Sequence, residues 1–245
     1  YDGSFSNEVV LKAENIYMGH TLEGVSLELH RGEILGIGGL TDCGMHDLGR
    51  ALFGIEKPLY GSVTQGNGAR IRNTRQAIAG RIGYVSKNRD QEALILSASI
   101  LDNTVLPSLG KLAKAGLISK KEEKAFTGIQ VENLSIKCRE IEQDVRDLSG
   151  GNKQKVVFGK WLGNESQIFI LDCPTRGIDI GVKAFMYQLM YRLKQEGKSI
   201  IMISEELPEL IGMSDRIMIM KNGKVQKVFE RSAELNESTL IKEMV

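Results

Sequence analysis

The segment Leu148-Ser149-Gly150-Gly151-Asn152-Lys153-Gln154 stands ahead of a helical stretch, and the apolar run Ile168-Phe169-Ile170-Leu171 beyond it closes on Asp172. A serine and two glycines opening a helix make an anion cradle. The glycines let backbone N–H groups approach a phosphate, the hydroxyl adds a donor, and the helix N-terminus adds partial positive charge. An aspartate at the C-terminal tip of a parallel-type strand is placed to reach a Mg²⁺ ion bound to phosphates. A second glycine frame lies upstream, Gly39-Leu40-Thr41-Asp42-Cys43-Gly44-Met45-His46. Its glycine spacing is that of a phosphate loop, which ordinarily ends in lysine for the β/γ oxygens and a hydroxyl for Mg²⁺. Met45 has no charge, His46 offers nitrogen where Mg²⁺ prefers hard oxygen, and Asp42 puts a negative charge into a loop meant for anions.

These residues need a scaffold of alternating strands and helices. Val9–Ala13, Leu22–Leu29 and Glu33–Ile37 read as strands, the last leading into the Gly39 loop and a helix from about Met45 to Phe53. Ile82–Val85 is a short apolar strand, and residues 99–163 turn helical, with Ser119-Lys-Lys-Glu122 as a capping box. Ile168–Asp172 and Ser199–Ser204 read as buried strands separated by a helix over Gly181–Gln195. Arg216–Met220 and Lys224–Phe229 form a hairpin on Asn222-Gly223, a pair suited to a type I′ turn. The pattern predicts an α/β core carrying a helical lobe at about 99–163.

Composition narrows the partners. In 245 residues, 32 Lys+Arg balance 31 Asp+Glu to a net +1, so no basic field calls for nucleic acid. Hydrophobic content of 42% and charged content of 26% are ordinary for a globular chain, and no apolar run approaches the roughly 20 residues that span a bilayer. Cys43, Cys138 and Cys173 make neither a metal quartet nor an even disulfide set, which fits a reducing compartment.

With the glycine loop, the Ser149 segment, the Asp172 strand and the turn at Asp179 in this order, the chain resembles the nucleotide-binding domain of ABC transporters. The variants Leu-Ser-Gly-Gly-Asn-Lys-Gln-Lys from Leu148 and Leu-Asp-x-Pro-Thr-Arg-Gly-Ile-Asp-Ile-Gly from Leu171 are narrower. They resemble the C-terminal half of the tandem ATP-binding proteins of ribose/galactose/xylose-type sugar importers, as do Leu101-Asp-Asn-Thr-Val-Leu and Ser204-Glu-Glu-Leu-Pro-Glu-Leu. The resemblance implies a single domain over residues 1–245: an ABC-type P-loop NTPase core with a mixed sheet, an N-terminal antiparallel β-subdomain and the inserted helical lobe. It also implies a longer tandem protein of which this chain is the second half.

The resemblance assigns further roles. A nucleotide site would draw on Tyr17 for adenine stacking, on Gly39, Thr41, Asp42, Cys43, Gly44, Met45 and His46 of a degenerate Walker A loop, on Lys87, and on Asp172 as a Mg²⁺ support through water. Lys87 stands where the family has a metal- or water-contacting Gln or Glu; it either approaches the phosphates or is a solvated loop lysine. Cys173 stands at the family's catalytic glutamate, as a poor acceptor, a redox-sensing thiol or a small filler. Glu205 stands at the switch histidine, where it repels phosphate or serves a helix N-terminus. Ser149, Gly150, Gly151, Asn152, Gln154 and Asp179 would face a partner domain's ATP.

Three functional readings follow. The first is the energy-coupling component of a bacterial sugar importer, with ATP and Mg²⁺ as cofactors and a weak or inactive ATPase when isolated. Its partners would be a second nucleotide-binding domain, in the same full-length chain or a homodimer, and membrane permease subunits, without direct sugar contact. It would sit peripherally on the cytoplasmic face of the bacterial plasma membrane. The second is a self-sufficient ATPase with a rearranged site using Lys87 and Glu205; the third is a non-transport regulatory ABC-type module.

Overall fold

The computed structural model describes residues 3–245. The strands are β1 Val9–Met18, β2 Leu22–His30, β3 Ile34–Gly39, β4 Tyr60–Gln65, β5 Arg70–Ile71, β6 Ile82–Val85, β7 Ile168–Asp172, β8 Ser199–Ile203, β9 Arg216–Lys221 and β10 Lys224–Glu230. The helices are α1 Met45–Phe53, α2 Thr74–Ala79, α3 Ile100–Val105, α4 Leu109–Leu112, α5 Lys120–Asn133, α6 Gly150–Gly163, α7 Ile180–Gln195, α8 Leu207–Met213 and α9 Glu237–Met244. One sheet has the order β2-β1-β4-β5 and is antiparallel; the other, β10-β9-β3-β8-β7-β6, is mixed. The chain divides into two compact units. One holds the chain up to Tyr84 with Gln167–Pro174 and Phe185–Val245; the other holds Val85–Ser166 with Thr175–Ala184.

In the first unit, β3, β7 and β8 are buried along their whole length, as continuous apolar strands of a parallel sheet must be. β1 is longer than the predicted Val9–Ala13. The pairing slips between Ala13 and Ile16, Asn15 takes φ 49°, and its N–H donates to Ser26 Oγ over 2.9 Å. A bulge thus hides the alternation and carries the strand past Tyr17. The β9–β10 hairpin turns on Asn222 and Gly223, both at positive φ (49° and 73°), as its sequence predicts. Asp215 ties the sheet together: its Oδ2 accepts from Ile34 N at 2.7 Å, and Lys194 Nζ donates to both carboxylate oxygens.

The second unit is helical, with α6 packing on α3 and α5 and burying Val156, Val157 and Phe158. Its capping differs from the sequence expectation. Ser119 makes no side-chain cap bond, and Glu122 pairs with Lys114 instead. The reciprocal capping box belongs to Ser99 and Asp102 at the head of α3. A π-helical turn, absent from the sequence reading, occupies Arg89–Ala93. Among the described residues, no helix is long and apolar enough to cross a membrane.

Candidate functional site

In the first unit, β3 delivers the chain into the glycine loop. A Cβ on Gly39 would lie 2.4 Å from Cys43 Sγ and 2.5 Å from Met220 O. Gly44 sits at φ 92°, and a Cβ there would lie 2.2 Å from Thr21 O, so no side chain fits. Cys43 N donates to Leu40 O at 2.9 Å, and Leu48 N to Gly44 O at 3.0 Å, which closes the loop onto α1. The glycine frame thus forms a tight loop at the head of α1. Met45 is fully buried and Cys43 nearly so, so neither side chain lies open to a ligand. Burial pushes the Cys43 thiol up, with the neighbouring Asp42 charge acting in the same direction. Thr41 and Asp42 are exposed.

Tyr17 is 43% exposed and packs edge-on against Tyr60, with ring centroids 6.3 Å apart. It lies near the end of β1, just before the turn that brings Thr21 against Gly44 and Gly223, so an aromatic face and the glycine loop share one end of this unit.

His46 does something the sequence did not disclose. Its Nδ1 lies 2.7 Å from Asp172 Oδ1 and its Nε2 3.4 Å from Glu205 Oε1. Asp172 is buried and also accepts from Tyr84 Oη at 3.4 Å. Cys173, in the left-handed region at φ 47°, donates its N–H to Ile203 O at 2.9 Å. Glu205 is exposed, one residue ahead of the Glu206 N-cap of α8, and its carboxylate faces His46. The loop carrying it is braced by Glu209, which accepts from Ser204 Oγ at 2.7 Å and Tyr187 Oη at 2.5 Å. Four positions, each considered against a phosphate in the sequence, here address one another.

In the second unit, Lys87 follows Ser86, whose hydroxyl donates to Glu92 and accepts from Asn88 N at 3.1 Å. The Ser149 segment is built more fully. Ser149 caps the 14-residue α6 and is exposed; its Oγ accepts from Asn152 N at 3.4 Å and from Asn152 Nδ2 at 3.0 Å. Asn152 Oδ1 in turn accepts from Lys137 N at 2.9 Å. Gly151 is required by packing, because a Cβ there would lie 2.6 Å from Val182 Cγ2. Gln154 is buried and accepts from Arg89 Nη1 at 3.2 Å. Asp179 Oδ1 accepts from Val182 N at 3.0 Å, and the neighbouring Ile180 is 87% exposed.

A fold of this order, with a glycine loop behind β3 and a serine-capped α6 ahead of the Asp172 strand, matches the ABC transporter family over residues 22–176, and the chain belongs to that family. It is 39% identical to the ribose import ATP-binding protein RbsA of Bacillus cereus over 235 residues, 96% of this chain and 48% of that protein. It is 40% identical to the RbsA of Bacillus subtilis, covering 88% and 44%, and 43% identical to RbsA 3 of Rhizobium etli, covering 95% and 46%. The chain thus spans about half the length of the curated relatives it matches. Its fold is similar to an ATP-binding cassette solved as a dimer in a post-hydrolysis state with ADP and Pi (TM-score 0.77, 22% identity, 91% of this chain and 99% of that one). A nucleotide-free cassette from an ABC transporter matches equally well (TM-score 0.77, 21% identity, 96% and 94%).

The family's cofactors set a test for the loop. Mg²⁺ takes oxygen donors in octahedral order and keeps several waters. Around Asp172 the neighbouring donors are an imidazole nitrogen and a thiol sulfur, within 4.8 Å of one another and of the carboxylate. That set does not fit Mg²⁺.

Proposed function

We propose that this chain is the nucleotide-binding half of an energy-coupling protein for sugar import, working as the lid of an ATP site whose phosphate loop belongs to a second such domain. The reading extends to the whole protein what the relatives' names say of them, ribose import and ATP binding. One observation carries it: the exposed Ser149 hydroxyl, the glycines behind it and the head of α6 form a complete anion cradle, while the chain's own loop has lost its cation and hydroxyl. Ser149 Oγ and the backbone N–H groups of Gly150 and Gly151 at the start of α6 would donate to the terminal phosphate held by the partner. Asp179 and the exposed Ile180 would line the same face. Catalysis of phosphoryl transfer is mostly positioning and charge stabilisation, which a lid of donors supplies without itself bonding to the reacting atom.

The chain's own loop is proposed to bind nucleotide weakly and to hydrolyse it poorly, because lysine, hydroxyl and water-orienting carboxylate are all exchanged. Permease subunits are the further partners, and the site of action is the cytoplasmic face of the bacterial plasma membrane. Single-turnover hydrolysis by the full-length protein tests the reading. Ser149→Ala should slow it by roughly 10²–10³, the worth of one preorganised donor, while His46→Ala leaves it little changed. Equal loss in both, or loss only in His46→Ala, would overturn it.

A further inference from the structure

Asp172, His46 and Cys173 form the one group of three such ligand types among the described residues whose donor atoms lie close enough to hold one ion. Imidazole nitrogen, thiolate sulfur and carboxylate oxygen together are the donors of Zn²⁺ and its borderline-soft neighbours. We propose that this cluster is a binding site for a divalent transition ion of the Zn²⁺ class, occupying the place where the family's fold would lead one to look for Mg²⁺. The inference stands apart from the lid reading: either can hold without the other.

Three features of the geometry support it. Bonds of about 2.0–2.3 Å in a tetrahedral array set neighbouring donors roughly 3–4 Å apart. The donor atoms of the cluster all lie within 4.8 Å of one another, close to that spacing. Second, His46 carries an outer carboxylate: Glu205 Oε1 stands 3.4 Å from Nε2, on the side of the ring away from Asp172. A ligating histidine almost always donates its second N–H to such a group, which fixes the tautomer and aims the other nitrogen at the ion. Glu205 is held there by a loop that Ser204, Glu209 and Tyr187 brace. Third, His46 Nδ1 and Asp172 Oδ1 lie 2.7 Å apart, so the imidazole nitrogen and the carboxylate oxygen already converge on one place.

The site is partly open. His46 retains 19% and Glu205 38% of its side-chain exposure, whereas Asp172 is shielded at 3%. With three protein ligands, the fourth position would be left to water or to an incoming anion.

Titration of the purified, metal-stripped chain with Co²⁺, a coloured stand-in for Zn²⁺, reads the proposal directly. The expected result is a thiolate-to-cobalt charge-transfer band that saturates at one ion per chain. Zn²⁺ should erase it and a large excess of Mg²⁺ should leave it intact. Cys173→Ser should remove the band while Cys138→Ser keeps it. Glu205→Gln, an exposed change that does not threaten folding, should weaken binding roughly 10–100-fold, the usual worth of an outer-shell partner. A band that survives in Cys173→Ser, displacement by Mg²⁺, unchanged affinity in Glu205→Gln, or no saturable binding would each overturn the site.

Discussion

At the head of α1 a glycine loop is followed by side chains turned into the protein; at the head of α6 a glycine pair is preceded by a serine that stays exposed. Gly39 and Gly44 still occupy positions that admit no Cβ, yet Met45 faces the core and His46 faces Asp172. Gly151 is equally constrained by Val182, but Ser149 stays exposed with its oxygen at the helix N-terminus. The difference separates folding from chemistry. Glycines that let β3 turn into α1 are needed for the loop to exist at all, whatever it binds. A lysine or a hydroxyl is needed only for the ligand, and can be replaced without unfolding the loop.

That contrast can be broken by putting the missing groups back. Met45→Lys with His46→Ser restores one cation and one hydroxyl on an unchanged glycine frame. Charge-assisted hydrogen bonds contribute about 1.5–3 kcal/mol each, so ATP affinity of the chain should tighten on the order of 100-fold, about 3 kcal/mol. Calorimetric titration of wild type and double variant measures it. No gain would mean that the loop backbone, and not its side chains, has lost the ability to hold phosphate.

A second prediction concerns what α6 costs the second unit. Lys160, on this helix, is buried with its ammonium against Ala93 O and 5.6 Å from the centre of the Trp161 ring. Burial pulls it from the ordinary 10.5 down to about 8. Below pH 8 both folded and unfolded chains hold the proton, and the folded state bears the full desolvation cost. Between about 8 and 10.5 only the unfolded chain binds it, so stability rises with pH across that window. Allowing for relaxation around the group, the rise should be on the order of 2 kcal/mol. Denaturant unfolding at several pH values should show this slope in wild type and lose it in Lys160→Met. A slope equal in both would place the titration elsewhere.

How far the sequence reveals these features depends on the distance over which each one is encoded. β3, β7 and β8 are legible because four to six consecutive apolar or glycine residues, bounded by turn signals, suit a buried strand. β4, Tyr60-Gly-Ser-Val-Thr-Gln, escapes because five of its six positions are exposed or half-buried and no apolar face survives to be counted. The departures at Met45, His46, Cys173 and Glu205 are legible one at a time, since each falls on a motif. Their meeting is not: His46 and Asp172 are separated by 126 residues, and only the sheet order that sets β3 beside β8 and β8 beside β7 brings them together.

The smallest prediction is also the most local, and it concerns a motif that occurs twice in the helical unit. Ser119-Lys-Lys-Glu122 and Ser99-Ile-Leu-Asp102 both have serine followed three residues later by an acid. Only the second closes: Ser99 Oγ accepts from Asp102 N at 2.9 Å, and Asp102 Oδ2 accepts from Ser99 N at 3.3 Å and from Ser99 Oγ at 2.6 Å. Asp102 has the shorter reach, but Ile100 and Leu101 beside it are buried and fix the entry of the helix. At Ser119 no buried residue anchors the first turn before Glu123, and Lys114 draws Glu122 away. Ser99→Ala should therefore lower unfolding stability by about 1 kcal/mol, and Ser119→Ala by less than about 0.5 kcal/mol. Paired thermal unfolding of the two variants decides it: equal losses would show that the serine spacing alone, without tertiary anchoring, is enough to form the cap.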